Sequence, residues 1–308
     1  MYRLIPMFLV AYGALQAAQA QRTIQWRTDV PGAVATAKQT HLPLMFYVLG
    51  RNEDRDDKID NAQKRAFTDP KVLQLSHRFI TTRLSRSVNR DVLVELKLPP
   101  TMTQEIAFVT PDGKVIDRLS PSGVADPNTL ADKMRLVFDA YRRQLFTSEI
   151  QPELEKPDAS PENMRIALAA IRDLNITAAD ETLLKLVERE NLNRGVLFEA
   201  YDVLAALSTK PGMEKLAELA IAKQPHADEA LARTTPIGAE VLLDKMVEED
   251  GTVRVSIYDA ICKVCDIKGR KSEKWWQRAE NRLLVDEVDR VKKLTKEAAD
   301  RWRAMNEE

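Results

Sequence analysis

One stretch of the 308-residue chain has the residue types and spacing of a chemical motif: Cys262-Lys263-Val264-Cys265, which holds both cysteines of the sequence. Two thiols three positions apart suit thiol–disulfide exchange when they open a helix after a strand, because the helix N-terminus stabilises the thiolate. Here apolar periodicity places the pair near the end of a helix that starts around Val253, where the dipole disfavours a thiolate. Ile257, Ile261 and Cys265 share one stripe, and Tyr258 and Cys262 the next. Two other roles are therefore open for the cysteines: small buried hydrophobes, or a local structural disulfide. A zinc site would need two more ligands, and His41, His77 and His226 are scattered along the chain.

No other motif stands out. The chain has no G-x-S-x-G, no H-E-x-x-H and no phosphate loop. The acidic run from Glu53 to Asp60 lacks the sixth-position glycine and twelfth-position glutamate of an EF-hand loop, and it reads as a solvated helix start. Trp275-Trp276 could contact a sugar or a partner. A helix would also accommodate one of the pair in the core and the other partly exposed. These residues propose no cofactor, no metal ligand and no catalytic group, with Cys262 and Cys265 kept as the alternative redox or disulfide pair.

The elements that must position these residues fall into two parts. Up to about residue 147, strand and helix signals alternate. Pro31–Thr40 reads as a helix, and Leu42–Leu49 is a continuous apolar run of the kind buried on both faces of a sheet. Lys58–Phe67 and a segment opened by Asp69-Pro70 read as helices, Phe79–Leu84 as a strand and Val88–Leu96 as a short helix. Ile106–Val109 and Lys114–Leu119 form a hairpin through Thr110-Pro111-Asp112-Gly113. Asp126-Pro127 caps a helix with the stripe Leu130, Met134, Val137, Phe138, Tyr141 and Leu145.

This order resembles the thioredoxin fold over about 120 residues. Trp26 is followed by a helix and the buried strand; Phe67-Thr68-Asp69-Pro70-Lys71-Val72 resembles the segment after the family's active-site helix. Phe108-Val109-Thr110-Pro111-Asp112-Gly113-Lys114-Val115 resembles its terminal hairpin. The resemblance implies C-x-x-C at the start of the second helix, but the matching stretch, Asp54-Arg55-Asp56-Asp57-Lys58, has no cysteine. It also implies a cis-proline before the hairpin. That position falls near Gln104, with Pro99 and Pro100 too far upstream unless the loop carries an insertion. The expectation is a redox-inactive domain.

Residues 148–160 (SEIQPELEKPDAS) are polar, hold two prolines and read as a linker. From Ser160-Pro161 onward only helical periodicity occurs, closing with helices over Lys271–Leu284 and Val285–Met305. The shared Tyr-Asp of Tyr201-Asp202 and Tyr258-Asp259 lies 57 positions apart, near two helix-pair units. Such irregular pairs resemble HEAT-type repeats; an irregular helical bundle remains the other reading.

The chain opens with Met1-Tyr2-Arg3, an apolar run from Leu4 to Leu15, and Ala18-Gln19-Ala20. That is the pattern of a secretory leader cut after Ala20. Its apolar run is short for a membrane span, and no stable membrane insertion is expected after cleavage. The 46 basic and 47 acidic residues leave no basic excess for binding nucleic acid. The sequence therefore predicts a leader (1–20), an α/β thioredoxin-like domain (21–147), a linker (148–160) and an all-α HEAT-like domain (161–308). The expected role is a non-catalytic binding or scaffold protein in the periplasm or outside the cell, with another exported protein or a peptide as partner. The alternatives are a thiol–disulfide oxidoreductase or chaperone using Cys262 and Cys265, and a small-ligand binder at the domain junction.

Overall fold

Five consecutive apolar side chains, Leu44–Val48, form strand β1, and all five are buried. Alternation along a strand sends Leu44, Phe46 and Val48 to one face and Met45 and Tyr47 to the other, so both faces need a cover. The computed structural model describes residues 23–50, 59, 61–99, 101–249 and 251–306. Helix α1 (Val30–Thr40) covers the first face; its Asp29 cap accepts the Gly32 N–H at 3.2 Å, and Pro31 sits in its first turn. Val30, Ala33 and Ala37 pack there with Leu44, Phe46 and Val48. The second face is lined by rings. Tyr47 meets Phe67 of α2 (Asn61–Thr68) at 5.1 Å. Phe79, just after α3 (Pro70–Ser76), bridges Phe108 at 5.4 Å and Phe138 of α6 (Pro127–Leu145) at 6.0 Å.

The sheet has four strands in the order β2-β1-β3-β4, with β2 Ile80–Leu84, β3 Glu105–Val109 and β4 Val115–Leu119. β1 and β2 are parallel, Leu44 opposite Ile80; β1 and β3 are antiparallel, Leu44 opposite Val109. β3 and β4 form the antiparallel hairpin, closed by the Gly113 N–H on the Thr110 carbonyl at 3.0 Å. Gly113 has φ +87°, a conformation other residues avoid. Helix α4 (Arg90–Glu95) joins β2 to β3, and Leu93 adds to the first-face core. A five-residue helix, α5 (Pro121–Ala125), precedes α6; it is too short to have a readable period.

Residue contacts divide the chain into two compact units between Tyr141 and Arg142. That boundary lies inside α6, not in the expected linker at 148–160. The linker reading overlooked Phe146, Ile150 and Leu154, which recur every fourth residue and are all buried. Phe146–Ile150 is a π-helical turn closed by the Gln151 N–H on the Phe146 carbonyl, and α7 (Gln151–Glu155) follows. Pro152 stands in the first turn of α7, where a missing N–H costs little. The chain leaves helical geometry after Glu155 and re-enters it at the Ser160 cap.

Unit two, among the described residues, is helical throughout. Its helices are α8 (Pro161–Asp173), α9 (Asp180–Val187), α10 (Arg194–Leu207), α11 (Lys210–Ile221) and α12 (Ala227–Leu231). They continue with α13 (Pro236–Glu248), α14 (Gly251–Val264), α15 (Glu273–Arg278) and α16 (Asn281–Asn306). The last break falls at Ala279–Glu280, earlier than the expected Leu284–Val285, because α15 ends at Arg278. α11 and α13 start alike. Thr209 accepts the Gly212 N–H at 3.3 Å, and Thr235 accepts the Gly238 N–H at 3.4 Å. A side chain at Gly238 would collide with the Thr234 hydroxyl. Ser208, left-handed at φ 51°, bonds Thr234 at 3.0 Å and Thr235 at 2.7 Å beneath that start.

Candidate functional site

In open sheets, ligands approach the carboxyl ends of parallel strands. At that end of β1 the Tyr47 hydroxyl donates to Gln63 Oε1 at 2.7 Å, and Gln63 Nε2 points to the Gln104 carbonyl at 3.5 Å. The Gln104 N–H closes the group on the Val48 carbonyl at 2.7 Å. Gln104 stands where the family's cis-proline was expected; it has φ 53°, and no cis peptide bond occurs among the described residues. Two amides and a phenol bonded to one another hold the loop to α2. None of them is a thiol. Of the acidic run Glu53–Asp60, only Ile59 is described, and it is buried; the carboxylates lie outside the described residues.

Cys262 is buried, Cys265 is half-buried, and both are free thiols at the C-terminal end of α14. Burial pushes both thiols up to about 11. A redox nucleophile needs the opposite shift. Beside Cys262 lies a polar cluster that the sequence did not reveal. The Tyr258 hydroxyl donates to Glu287 Oε1 at 2.8 Å and accepts the Lys271 N–H at 2.7 Å. Arg290 Nε holds Glu287 Oε2 at 2.9 Å, and Arg290 Nη1 reaches the Lys268 carbonyl at 3.1 Å. Burial alone would raise the Glu287 carboxyl, but the bonds from Arg290 and Tyr258 outweigh it and hold it below the ordinary value. Burial also raises the Tyr258 hydroxyl. The cluster ties the turn after α14 to α16.

Trp276 is buried against Tyr258 at 5.1 Å, and Trp275 is half-buried beside it. His226 lies between Asp202 Oδ1 at 3.2 Å and Glu229 Oε2 at 3.1 Å, and stacks on Phe198 at 4.6 Å. Asp202 and Phe198 come from α10, so only folding brings them to His226, whereas Glu229 lies three residues on, in α12. Among the described residues, no group of three or more histidine, cysteine, aspartate or glutamate residues could hold a metal ion.

Two neighbouring grooves open on the α1/α4 face of the sheet. One, of about 470 Å³, is walled by Val34, Phe46, Val92, Leu96 and Val109. The other, of about 580 Å³, lies between the loop after α4 and strand β4. They share Glu95, Leu96 and Gly113. Volumes of this size are typical of binding pockets. No local pattern in the sequence signals them, because their walls come from four separate segments. No protein-family model, curated protein or solved structure matches the chain.

Proposed function

We propose that this chain is an exported, non-catalytic binding protein, with a redox-inactive thioredoxin-like domain followed by a HEAT-like helical repeat. One observation carries the non-catalytic reading. Both cysteines lie outside the α/β unit, and burial pushes their thiols up to about 11. The thioredoxin-like reading is supported by a parallel β1–β2 pair, an antiparallel β3–β4 hairpin and the central place of β1 and β3, with helices on both faces. The repeat reading is supported by helices that pack on the next but one: α8 on α10, α9 on α11, and α11 on α13. Stacked helix pairs of this kind present long surfaces suited to proteins and peptides. Export rests on the composition of residues 1–20, and no helix among the described residues is long and apolar enough to cross a membrane.

The test is dithiol-driven insulin reduction by the purified protein, beside its Cys262→Ser and Cys265→Ser variants. The expected result is the uncatalysed rate for all three. Turnover by the wild type that either serine variant abolishes would replace this reading with the oxidoreductase.

A further inference from the structure

The two edges of the sheet are treated differently. At the β2 edge, Arg27 covers part of the backbone through an isolated parallel bridge: its N–H bonds the Thr81 carbonyl at 2.9 Å, and the Arg83 N–H bonds its carbonyl at 2.8 Å. At the other edge, no described segment pairs with β4. An uncovered edge strand is a template for another extended chain. Of its amides, the Arg118 N–H is held by Asp117 at 2.7 Å, and the Asp117 carboxylate is in turn met by Lys133 at 2.8 Å.

The 580 Å³ groove runs beside this edge, with Leu96, Leu98, Pro99 and Val115 as apolar walls. Three of the four large apolar side chains left exposed among the described residues of this unit are Val88, Val94 and Val115. Of these, Val115 lines the groove itself, whereas Val88 and Val94 lie before and on α4, outside its lining. The groove's charged lining is Lys97, Lys114 and Arg118 against the single carboxylate of Glu95. Lys114 pairs with Asp112 at 2.9 Å. Among the described residues, Lys97 forms no ion pair, and Arg118 acts through space on the carboxylate of its neighbour Asp117, which Lys133 already holds.

We infer that this groove and the β4 edge bind an extended acidic peptide. It would add a strand along Val115–Leu119, place apolar side chains beside Leu96 and Pro99, and set carboxylates against Lys97 and Arg118. Charge selects this occupant over a second copy of the chain. A two-fold edge-to-edge pairing brings only one carboxylate on the strand, Asp117, to meet Lys97 and Arg118. The inference deepens the proposed binding role and rests on it.

The experiment uses a fluorescein-labelled peptide alternating valine and glutamate over about nine residues, long enough to span β4, and its valine–lysine counterpart. Fluorescence anisotropy reads binding to the purified protein, and amide hydrogen exchange reads protection at residues 115–119. The glutamate peptide is expected to bind and protect that strand, while the lysine peptide does neither. Lys97→Glu/Arg118→Glu should weaken binding about tenfold. Lys292→Glu/Lys293→Glu, an equal charge change on α16, should not. Equal binding of both peptides, absence of binding, protection elsewhere, or equal loss in the two double variants would overturn the inference. So would a concentration-dependent dimer through β4 in place of peptide binding. Insulin reduction is measured in parallel. A null peptide result without redox turnover removes this inference alone, whereas redox turnover removes the proposed function.

Discussion

Thiol reactivity gives the sharpest test of the molecule's chemistry. At about pH 7.5 an ordinary thiol is roughly one-tenth thiolate, whereas one pushed up to about 11, as Cys262 and Cys265 are, is ionised in roughly 3 molecules per 10,000. Ionisation alone thus slows the reaction about 300-fold. The more basic thiolate is the better nucleophile, and a Brønsted slope of about 0.4–0.5 returns a factor of roughly 10 to 20. The net expectation for Cys265, the more exposed of the two, is a rate about 20-fold below that of the unfolded chain. Cys262 is 1% exposed and needs the turn after α14 to open first, so it should be slower still. Ellman's reagent, applied to the Cys262→Ser and Cys265→Ser variants in native buffer and in denaturant, separates the two rates. Either thiol reacting in the native protein as fast as in the unfolded chain would refute the reasoning.

Two further outcomes follow from buried polar contacts. Glu287→Leu strands the Tyr258 hydroxyl and Arg290 and should cost about 2–3 kcal/mol, less than a fully buried pair because Arg290 is partly exposed. Glu287→Gln keeps an acceptor and should cost about 1 kcal/mol. Urea midpoints at neutral pH measure both, and an unchanged midpoint for the leucine variant would contradict the assignment. Because the folded Glu287 carboxyl sits below its ordinary value of 4.5, its contribution is complete above that value and is lost as pH falls through the folded one. The gap between wild type and Glu287→Gln should therefore close in acid. Tyr47→Phe leaves the Gln63 Oε1 without its 2.7 Å donor and should cost about 1–2 kcal/mol. A calorimetric Tm equal to that of wild type would mean the amide had found another partner.

The elements were legible where burial imposes a period. Leu44–Val48 is apolar without interruption because both faces of β1 are covered. Pro31, Pro70 and Pro127 stand where helices start, and the structure starts helices there. The reading failed where polar composition masked a buried stripe. Residues 148–160 look like a linker by prolines and charge, yet every fourth side chain from Phe146 to Leu154 is buried, and the chain passes the irregular step by a π turn that no periodicity of 3.6 signals. The site was less legible still. The Cys262–Cys265 spacing draws attention to two thiols whose ionisation burial disfavours. The Tyr258–Glu287–Arg290 cluster beside them leaves no local signal, because its members lie up to 32 positions apart (258 to 290). The β4 groove was hidden for the same reason. Lys97 and Arg118 are ordinary surface charges in the sequence, and only the turn at Gly113 brings β4 back beside the loop that follows α4. A binding surface assembled from separate segments leaves no local pattern to read.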